Sequence, residues 1–197
     1  MTKLEAPEPG PPSQTLTGPK DEFALVCYLP GALGGFLDLL RTELVPDCSA
    51  RSHVTLLPPR PLHGPPGPAQ EQLRRAMPQF TPFRVELGAV SIFKATRVIY
   101  LELLQGREEL LAIHRELNIG PLHYNEPYPY HPHVTLAQGP VVVNDVDEAK
   151  FALARERWDE FRLPKSFIVD TVMFVQNGGC QGWLDLDELP VGTPVSL

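Results

Sequence analysis

The sequence is poor in cysteine, in long apolar runs and in positive charge. It holds three cysteines, an odd number without metal-ligand spacing, so we expect Cys27, Cys48 and Cys180 to be reduced and structural. No stretch of about 18 apolar residues could cross a membrane, and the first residues lack the basic-then-apolar order of a secretory signal. We therefore expect a soluble, cytoplasmic protein without a membrane partner.

Negative charge exceeds positive charge. Seventeen Lys and Arg stand against 24 Asp and Glu, and the formal net charge is −7. Proteins that bind long nucleic acids through many phosphate contacts need a basic surface, so we expect no extended nucleic-acid surface here. A small substrate or a nucleic-acid end, bound by a monomer, fits this charge better.

The composition favours a single globular domain, because 43% of the 197 residues are hydrophobic. Residues 1–20 contain five prolines and few large apolar side chains. Such a segment buries too little surface to offset the entropy of ordering, so we expect a flexible tail. The predicted domain spans residues 21–190, and residues 191–197 form a C-terminal tail.

One tetrapeptide, His-Val-Thr-Leu, occurs twice, beginning at His53 and at His133. Each copy lies in a short apolar run that is typical of a β-strand, in which alternate side chains project from the same face. His53 and Thr55, like His133 and Thr135, therefore share a face. If both strands line one cleft, one imidazole can accept a proton while the other donates one, and the hydroxyls can bind an anion.

The duplicated motif resembles that of the 2H phosphoesterases, which include the bacterial 2'-5' RNA ligase-like proteins and the cyclic nucleotide phosphodiesterases. That family is defined by two His-x-Thr/Ser-x motifs with x usually apolar, and both copies match. The resemblance extends over roughly residues 22–190, including a central hairpin at 89–101 and the segment Tyr130–His133 that leads to the second motif. It implies that His53 and His133 are catalytic.

The resemblance also implies roles for other residues. Thr55 and Thr135 are expected to bind phosphate, and Phe93 lies where the family often places large side chains near the cleft. Several family members carry Arg or Lys shortly after a motif Thr, whereas here Leu57 and two prolines follow the first copy. Arg60 is a candidate to replace that cation.

The fold class that the resemblance implies is α+β, with two lobes related by a pseudo-twofold axis. Each lobe is a small, mainly antiparallel sheet with outer helices, and the motif strands line a central cleft. Periodicity alone supports an α+β fold with an internal duplication: strands at 23–29, 52–57, 83–93, 98–104, the second motif, 167–175 and 181–186, and helices at 33–44, 70–77, 107–117 and 145–161. Prolines between 58 and 68 predict a loop, an Asp145-x-x-Glu148 pattern predicts a helix cap, and the last two strands are predicted to pair across Asn177-Gly178-Gly179.

His131 leaves two interpretations open. It shares a face with His133, and His131-Pro132-His133 is also compatible with a metal-binding pair. A metal needs further ligands, and no Asp, Glu or Cys follows at a telling spacing. We therefore favour His131 as a residue at the rim of the cleft or one that supports His133. Arg51 occupies the equivalent position before His53, and Tyr130 is a candidate to stack on a base.

The function that these residues indicate is hydrolysis of 2',3'-cyclic phosphates of nucleotides or RNA ends, without metal or cofactor. Cleavage or formation of 2'-5' linkages at the same site is a related possibility implied by the family. Two alternatives remain open, a non-catalytic module that binds nucleotides or RNA ends and a metal-dependent hydrolase that uses His131 and His133. The native substrate, the product regioisomer and the assignment of base and acid do not follow from the sequence.

Overall fold

The computed structural model describes residues 20–46, 48, 51–138, 146–179 and 182–193. The predicted N-terminal tail, apart from Lys20, and the predicted cap at Asp145 lie outside these residues. No helix in the described ranges is long and apolar enough to span a membrane.

The described residues form eight strands and four α-helices. The strands are β1 Phe23–Tyr28, β2 His53–Arg60, β3 Phe83–Ile92, β4 Ile99–Gln105, β5 Val134–Ala137, β6 Ser166–Val169, β7 Thr171–Asn177 and β8 Trp183–Pro190. The helices are α1 Gly31–Leu44, α2 Pro66–Ala76, α3 Arg107–Leu117 and α4 Val146–Glu160.

All eight strands form one sheet in the order β6-β3-β4-β5-β2-β1-β7-β8, with antiparallel pairing throughout. The pairing of β5 with β2 joins two four-stranded halves, so the predicted α+β fold with two related lobes is confirmed. One strand of each chain half pairs in the lobe of the other half. β3 follows the helices of the first half but pairs with β4, and β7 follows α4 but pairs with β1.

The helices bury their apolar stripes against one face of the sheet. In α1, Leu33, Leu37, Leu40 and Leu44 recur at helical spacing and are buried in the main core. Helix α1 packs on β5 and α3 packs on β2, so each helix lies under the motif strand of the other chain half. The opposite face of the central strands is left for the motif side chains.

The predicted proline loop begins too early. β2 continues through Pro58 and Pro59 to Arg60, which pairs with Phe23 of β1. Between the pairs Leu25–Leu57 and Phe23–Arg60, β2 has one extra residue, which marks a bulge. A bulge tolerates proline because it leaves a residue out of the hydrogen-bond ladder.

Helix α2 also begins earlier than predicted, at Pro66 instead of near Gln70. Pro66 and Pro68 lie in its first turn, where the missing N–H has no helical partner in any case. The remaining predicted helices agree with the structure to within a few residues.

The predicted strand 167–175 is two strands, and this changes the predicted last hairpin. The buried positions shift from Phe167 and Val169 to Val172 and Phe174, which moves the buried side chains from odd to even numbers across Asp170. Accordingly β6 pairs with β3 at one end of the sheet, while β7 pairs with β1 and with β8. Apolar residues on both sides of Asp170 hid the change of partner.

The body of the fold extends past residue 190. Val191, which the sequence placed in the C-terminal tail, is buried, and its N–H donates to the Asp170 carbonyl. The next residue, Gly192, donates to the carbonyl of Met77.

Two adjacent glycines of α1 give a test of this packing. A Cβ added at Gly34 would lie 2.0 Å from the carbonyl oxygen of Leu29, whereas one added at Gly35 would meet no atom within 4 Å. We expect Gly34→Ala to lower the free energy of unfolding by about 1–3 kcal/mol or more, because backbone must move. Gly35→Ala should raise it by up to about 1 kcal/mol through helix propensity. Urea denaturation of both variants checks this, and equal midpoints would contradict the close approach.

Candidate active site

The two motifs meet at the centre of the sheet. Val54 of β2 pairs directly with Val134 of β5. Continuing this antiparallel register by one residue in each direction puts His53 opposite Thr135 and Thr55 opposite His133. Side chains directly opposite each other project from the same face, and diagonal neighbours such as the two histidines lie about 7–8 Å apart at the backbone. The pseudo-twofold axis passes through the two valines.

Burial repeats between the two copies. The seven residues from Arg51 and the seven from His131 follow the same pattern: exposed, buried, half-buried, buried, half-buried, buried, buried. Val54, Leu56, Val134 and Leu136 belong to the main core. The half-buried positions are the His and Thr of each motif, so the sheet presents two imidazoles and two hydroxyls together on the face away from that core.

Both imidazoles are oriented in the same way. The Nδ1 of His53 lies 2.7 Å from the carbonyl oxygen of Arg51, and the Nδ1 of His133 lies 2.7 Å from that of His131. Because a carbonyl can only accept, each Nδ1 carries the hydrogen and each Nε2 is the atom that exchanges a proton. The Nε2 of His133 is 3.1 Å from Thr135 Oγ1, which donates to it when the imidazole is neutral.

Burial and neighbouring cations favour the neutral form of both imidazoles. Desolvation lowers the pKa of His53 to about 4, assisted by the positive charges of Arg41 and His133 and opposed by the Arg51 carbonyl and Asp38. Desolvation also lowers the pKa of His133, opposed by the hydrogen bond to the His131 carbonyl and assisted by the charge of the His131 imidazole. The free protein therefore holds two neutral imidazoles near pH 7.

An aromatic cluster flanks His133. Phe93 stacks on Tyr100 with their ring centroids 4.0 Å apart. The edge contacts of Phe93 with His131 and His133 have centroid separations of 5.2 and 5.1 Å. Phe93 thus lies beside the catalytic candidate, as expected, and His131 is an exposed residue at the rim whose ring contacts this cluster. The half-exposed Phe93 ring offers a flat apolar surface at this side of the cleft.

A charged cluster flanks His53. Tyr28, the β1 neighbour of His53, donates to Asp185 at 2.6 Å. The guanidinium carbon of Arg51 lies 3.7 Å from the centroid of the Tyr28 ring, and Arg51 Nη1 lies 3.7 Å from Asp185 Oδ2. Arg51 is exposed and places a positive charge at this rim of the cleft.

Arg60 does not reach the cleft. It is 1% exposed, and its guanidinium donates to Asn118 Oδ1 at 2.8 Å, to the Leu122 carbonyl at 3.0 Å and to Glu126 Oε1 at 2.5 Å. These bonds fasten the 118–126 segment to the end of β2. Arg60 is therefore not available to replace the cation missing after the first motif.

Tyr130 also has its polar atom committed. Its hydroxyl donates to the main-chain carbonyl of Thr55 at 2.5 Å, and its ring stacks on His114 with 4.0 Å between centroids. His114 in turn contacts Glu126 at 2.8 Å. Tyr130 thus connects the segment before the second motif with the strand of the first, which differs from the predicted role in stacking on a base.

Three residues of this region are not apparent from the sequence: Arg41, Tyr28 and Asp185. Arg41 is 6% exposed, and its Nη1 donates to the main-chain carbonyl of Thr135 at 2.5 Å. A signal was present, since position 41 lies four residues after Leu37 on the buried stripe of α1. Tyr28 and Asp185 gave no signal, because their relation to His53 depends on the order of the strands.

We find no group of three or more His, Cys, Asp or Glu side chains placed to hold a metal ion within the described part of the chain. The rings of His131 and His133 lie 6.3 Å apart between centroids and are tilted by 45°. Cys27 and Cys48 are free thiols, and Cys180 lies outside the described residues.

The lowered pKa values predict the titration of the free protein. His53 should stay neutral as the pH falls through 6.5 and become protonated only near pH 4, and His133 should titrate below 6.5. NMR titration of the imidazole C–H resonances measures this, with urea-unfolded protein as the reference near ~6.5. A His53 resonance that titrates at or above the unfolded value would contradict the burial of this imidazole.

Comparisons with known proteins agree on one family. The family model described as the 2'-5' RNA ligase superfamily matches residues 48–180, which is more than half of the chain. Candidate phosphoesterase OB1230 of Oceanobacillus iheyensis is 29% identical over 96 residues, or 47% of this chain. The chain spans about half (52%) of that relative's length.

Solved structures share the fold. The apo form of LigT from Escherichia coli superposes with a TM-score of 0.61 at 17% identity, covering 88% of this chain and 98% of LigT. LigT complexed with 3'-AMP gives 0.57 at 16% identity, with coverages of 88% and 99%. Usb1 of Kluyveromyces marxianus, with uridine monophosphate, gives 0.51 at 16% identity, with coverages of 87% and 98%. The chain belongs to the 2'-5' RNA ligase superfamily, the 2H phosphoesterases that its duplicated motif indicated.

Proposed function

We propose that this protein is a phosphoesterase that hydrolyses 2',3'-cyclic phosphates of nucleotides or RNA ends by paired-histidine acid–base catalysis. The observation that carries the proposal is the arrangement of His53, Thr55, His133 and Thr135 across one strand pair. An in-line displacement at phosphorus needs one group that accepts a proton and one that donates a proton. The two imidazoles fit these roles, because both hold Nδ1 against a main-chain carbonyl and leave Nε2 for proton exchange.

The reaction uses one imidazole on each side of the phosphate. A neutral imidazole takes a proton from water as the water oxygen attacks phosphorus, and the bond from phosphorus to one ribose oxygen breaks. The other imidazole, in its protonated form, gives its proton to that oxygen. The product is a nucleotide monoester. Exchange of protons with solvent then restores both histidines.

The lowered pKa values fit an anionic substrate. Near neutral pH both imidazoles are neutral, and the negative charge of an entering phosphodiester favours protonation of one of them. The hydroxyls of Thr55 and Thr135 can donate to phosphoryl oxygens as negative charge moves onto them in the transition state. The exposed Arg51 adds a positive charge at the same rim.

A nucleotide is the substrate class that the flanking residues favour. The half-exposed Phe93 ring, stacked on Tyr100, offers a face on which a base can stack. Solved structures contain LigT with 3'-AMP and Usb1 with uridine monophosphate. We propose that a nucleotide or RNA end binds here in the same general way, in a monomeric, cytoplasmic protein. With an RNA 5'-hydroxyl in place of water, the same two imidazoles form a 2'-5' linkage from a cyclic phosphate, and the reverse reaction cleaves that linkage.

Replacement of either histidine tests the proposal. We expect His53→Ala and His133→Ala each to lower kcat at least about 100-fold, since each removes one proton-transfer group. The double variant should be little worse than either single one, because residues that act as a unit are not additive. The assay incubates the four nucleoside 2',3'-cyclic phosphates and short RNAs with cyclic ends, and identifies the product regioisomer.

The exposed histidines His63 and His123 provide matched controls, and His63→Ala and His123→Ala should retain wild-type turnover. Near-wild-type activity of either motif variant would remove the paired-histidine mechanism. Tight nucleotide binding by the wild type without any product would favour the non-catalytic binding module.

Treatment with a chelator separates the metal-dependent alternative. We expect turnover to survive EDTA and not to rise with added divalent ions, because the two imidazoles move both protons. Loss of activity in EDTA with recovery on adding zinc or manganese would assign His131 and His133 to a metal site instead.

A further inference from the structure

A cavity of about 210 Å³ adjoins the candidate active site on the side of His53. Tyr28, which β1 places opposite His53, lines this cavity together with Arg51. The rings of Tyr28 and His53 make an edge contact with 6.3 Å between centroids. In the sheet, β1 and the strands of Phe93 and Tyr100 flank the two motif strands from opposite sides. A phosphate held between the histidines therefore has the cavity on one side and the Phe93 ring on the other.

One wall of the cavity is apolar. Ile168, which is 47% exposed, contributes to it together with Met173 and the Tyr28 ring. Cys27 adds an inert thiol, because burial and, after it, the charge of Asp170 raise its pKa to about 12. The volume is below the roughly 300–1,000 Å³ of sites that enclose a drug-sized ligand. The cavity therefore suits one flat ring of a substrate and not a whole nucleotide.

The charged groups of the cavity are mainly hydrogen-bond acceptors. Asp170 and Glu188 line it, and neither carboxylate makes an ion pair or a side-chain hydrogen bond with another residue in the described ranges. Arg51 also lines the cavity, but its Nη1 already lies 3.7 Å from a third carboxylate, that of Asp185. Carboxylates repel a phosphate and accept hydrogen bonds from N–H groups. The cavity thus favours a ring that carries N–H donors.

Guanine is the nucleobase that matches a carboxylate best. Its ring N–H and its amino group present two adjacent donors, which one carboxylate accepts through both oxygens. Adenine and cytosine offer an amino group beside a ring acceptor. Uracil offers one N–H between two carbonyl oxygens, which a carboxylate repels.

Glu188 is the better placed of the two carboxylates to accept these bonds. It lies directly opposite Met173 in the register of β7 and β8, so its side chain projects from the same face as the apolar wall. Asp170 lies between β6 and β7, and its charge adds to the repulsion of carbonyl oxygens.

We propose that this cavity is a second base-binding subsite, which takes the nucleoside on the far side of the phosphate from Phe93 and selects guanine there through Glu188. The inference rests on the proposed function for the position of the phosphate. It specifies the substrate as a phosphodiester between two nucleosides, with one base stacked on Phe93 and a guanine in the cavity.

The test measures the binding of 2'-5'-linked dinucleoside monophosphates by calorimetry. One base is varied among guanine, adenine, cytosine and uracil while the other is kept as adenine, and then the two sides are exchanged. Competition with a nucleoside 2',3'-cyclic phosphate shows that the dinucleotides occupy the candidate active site. We expect guanine to bind about 10-fold or more tightly than uracil on one side only, as a bidentate contact implies.

Two variants remove the carboxylates separately. Glu188→Gln puts an amide with its own donors opposite the donors of guanine, so the preference for guanine over uracil should fall to about 2-fold or less. Asp170→Asn should weaken the preference by a smaller factor. The matched controls are Glu116→Gln on α3 and Asp159→Asn on α4, which remove the same charges from exposed positions outside the cavity and should keep the wild-type preference.

The ratio of affinities for guanine and uracil decides the inference, because a merely structural role of Glu188 would lower all affinities together. Equal affinity for the four bases on both sides overturns the inference. So does a guanine preference that survives in Glu188→Gln, or one that is lost equally in the two controls. A wild type that turns over neither cyclic phosphates nor dinucleotides would refute the proposed function. Binding would then still decide the inference, since a guanine preference that Glu188→Gln abolishes supports it and the lack of one overturns it.

Discussion

The candidate site depends on a single strand pairing, that of Val54 with Val134. This pair brings two distant segments of chain into one antiparallel register, and the register alone decides that both histidines and both threonines lie together. A shift of one residue in β5 would turn His133 and Thr135 toward the core. Burial of the alternate side chains opposes such a shift, because apolar residues would have to exchange places with polar ones. These buried residues are Val54, Leu56, Val134 and Leu136.

The helices strengthen this pairing because they cross between the halves. α1 packs on β5 and α3 on β2, so the apolar contacts of each helix hold the motif strand of the other half. Arg60, Glu126 and His114 add a polar network that fixes the chain leading to Tyr130. Packing and hydrogen bonding therefore act on the same interface, and the geometry of the two imidazoles follows from the rigidity of the scaffold beneath them.

Much of this could be predicted from the sequence, and the failures have physical causes. The repeated tetrapeptide predicted both motif strands and the shared face of His and Thr, because strand periodicity is a local property. The change of partner at Asp170 was missed although the phase of the apolar pattern shifts there. Arg41 was missed because its importance depends on which strand α1 covers. Arg60 and Tyr130 were identified as notable, but their partners come from the 118–126 segment and from β2, which local spacing does not reveal.

The exchange of β3 and β7 between the lobes has a consequence for how such a site can arise. A chain of half this length would leave its third strand without a partner, and two copies could complete each other only by exchanging that strand around a dyad through the central valines. In such a symmetric homodimer every residue would occur twice, so both imidazoles would have the same surroundings and neither could be set apart as acid or base. Joining the copies into one polypeptide removes that restriction: a position in one half can change without its counterpart in the other, so the two imidazoles can have different neighbours and the two protons of the reaction acquire a direction.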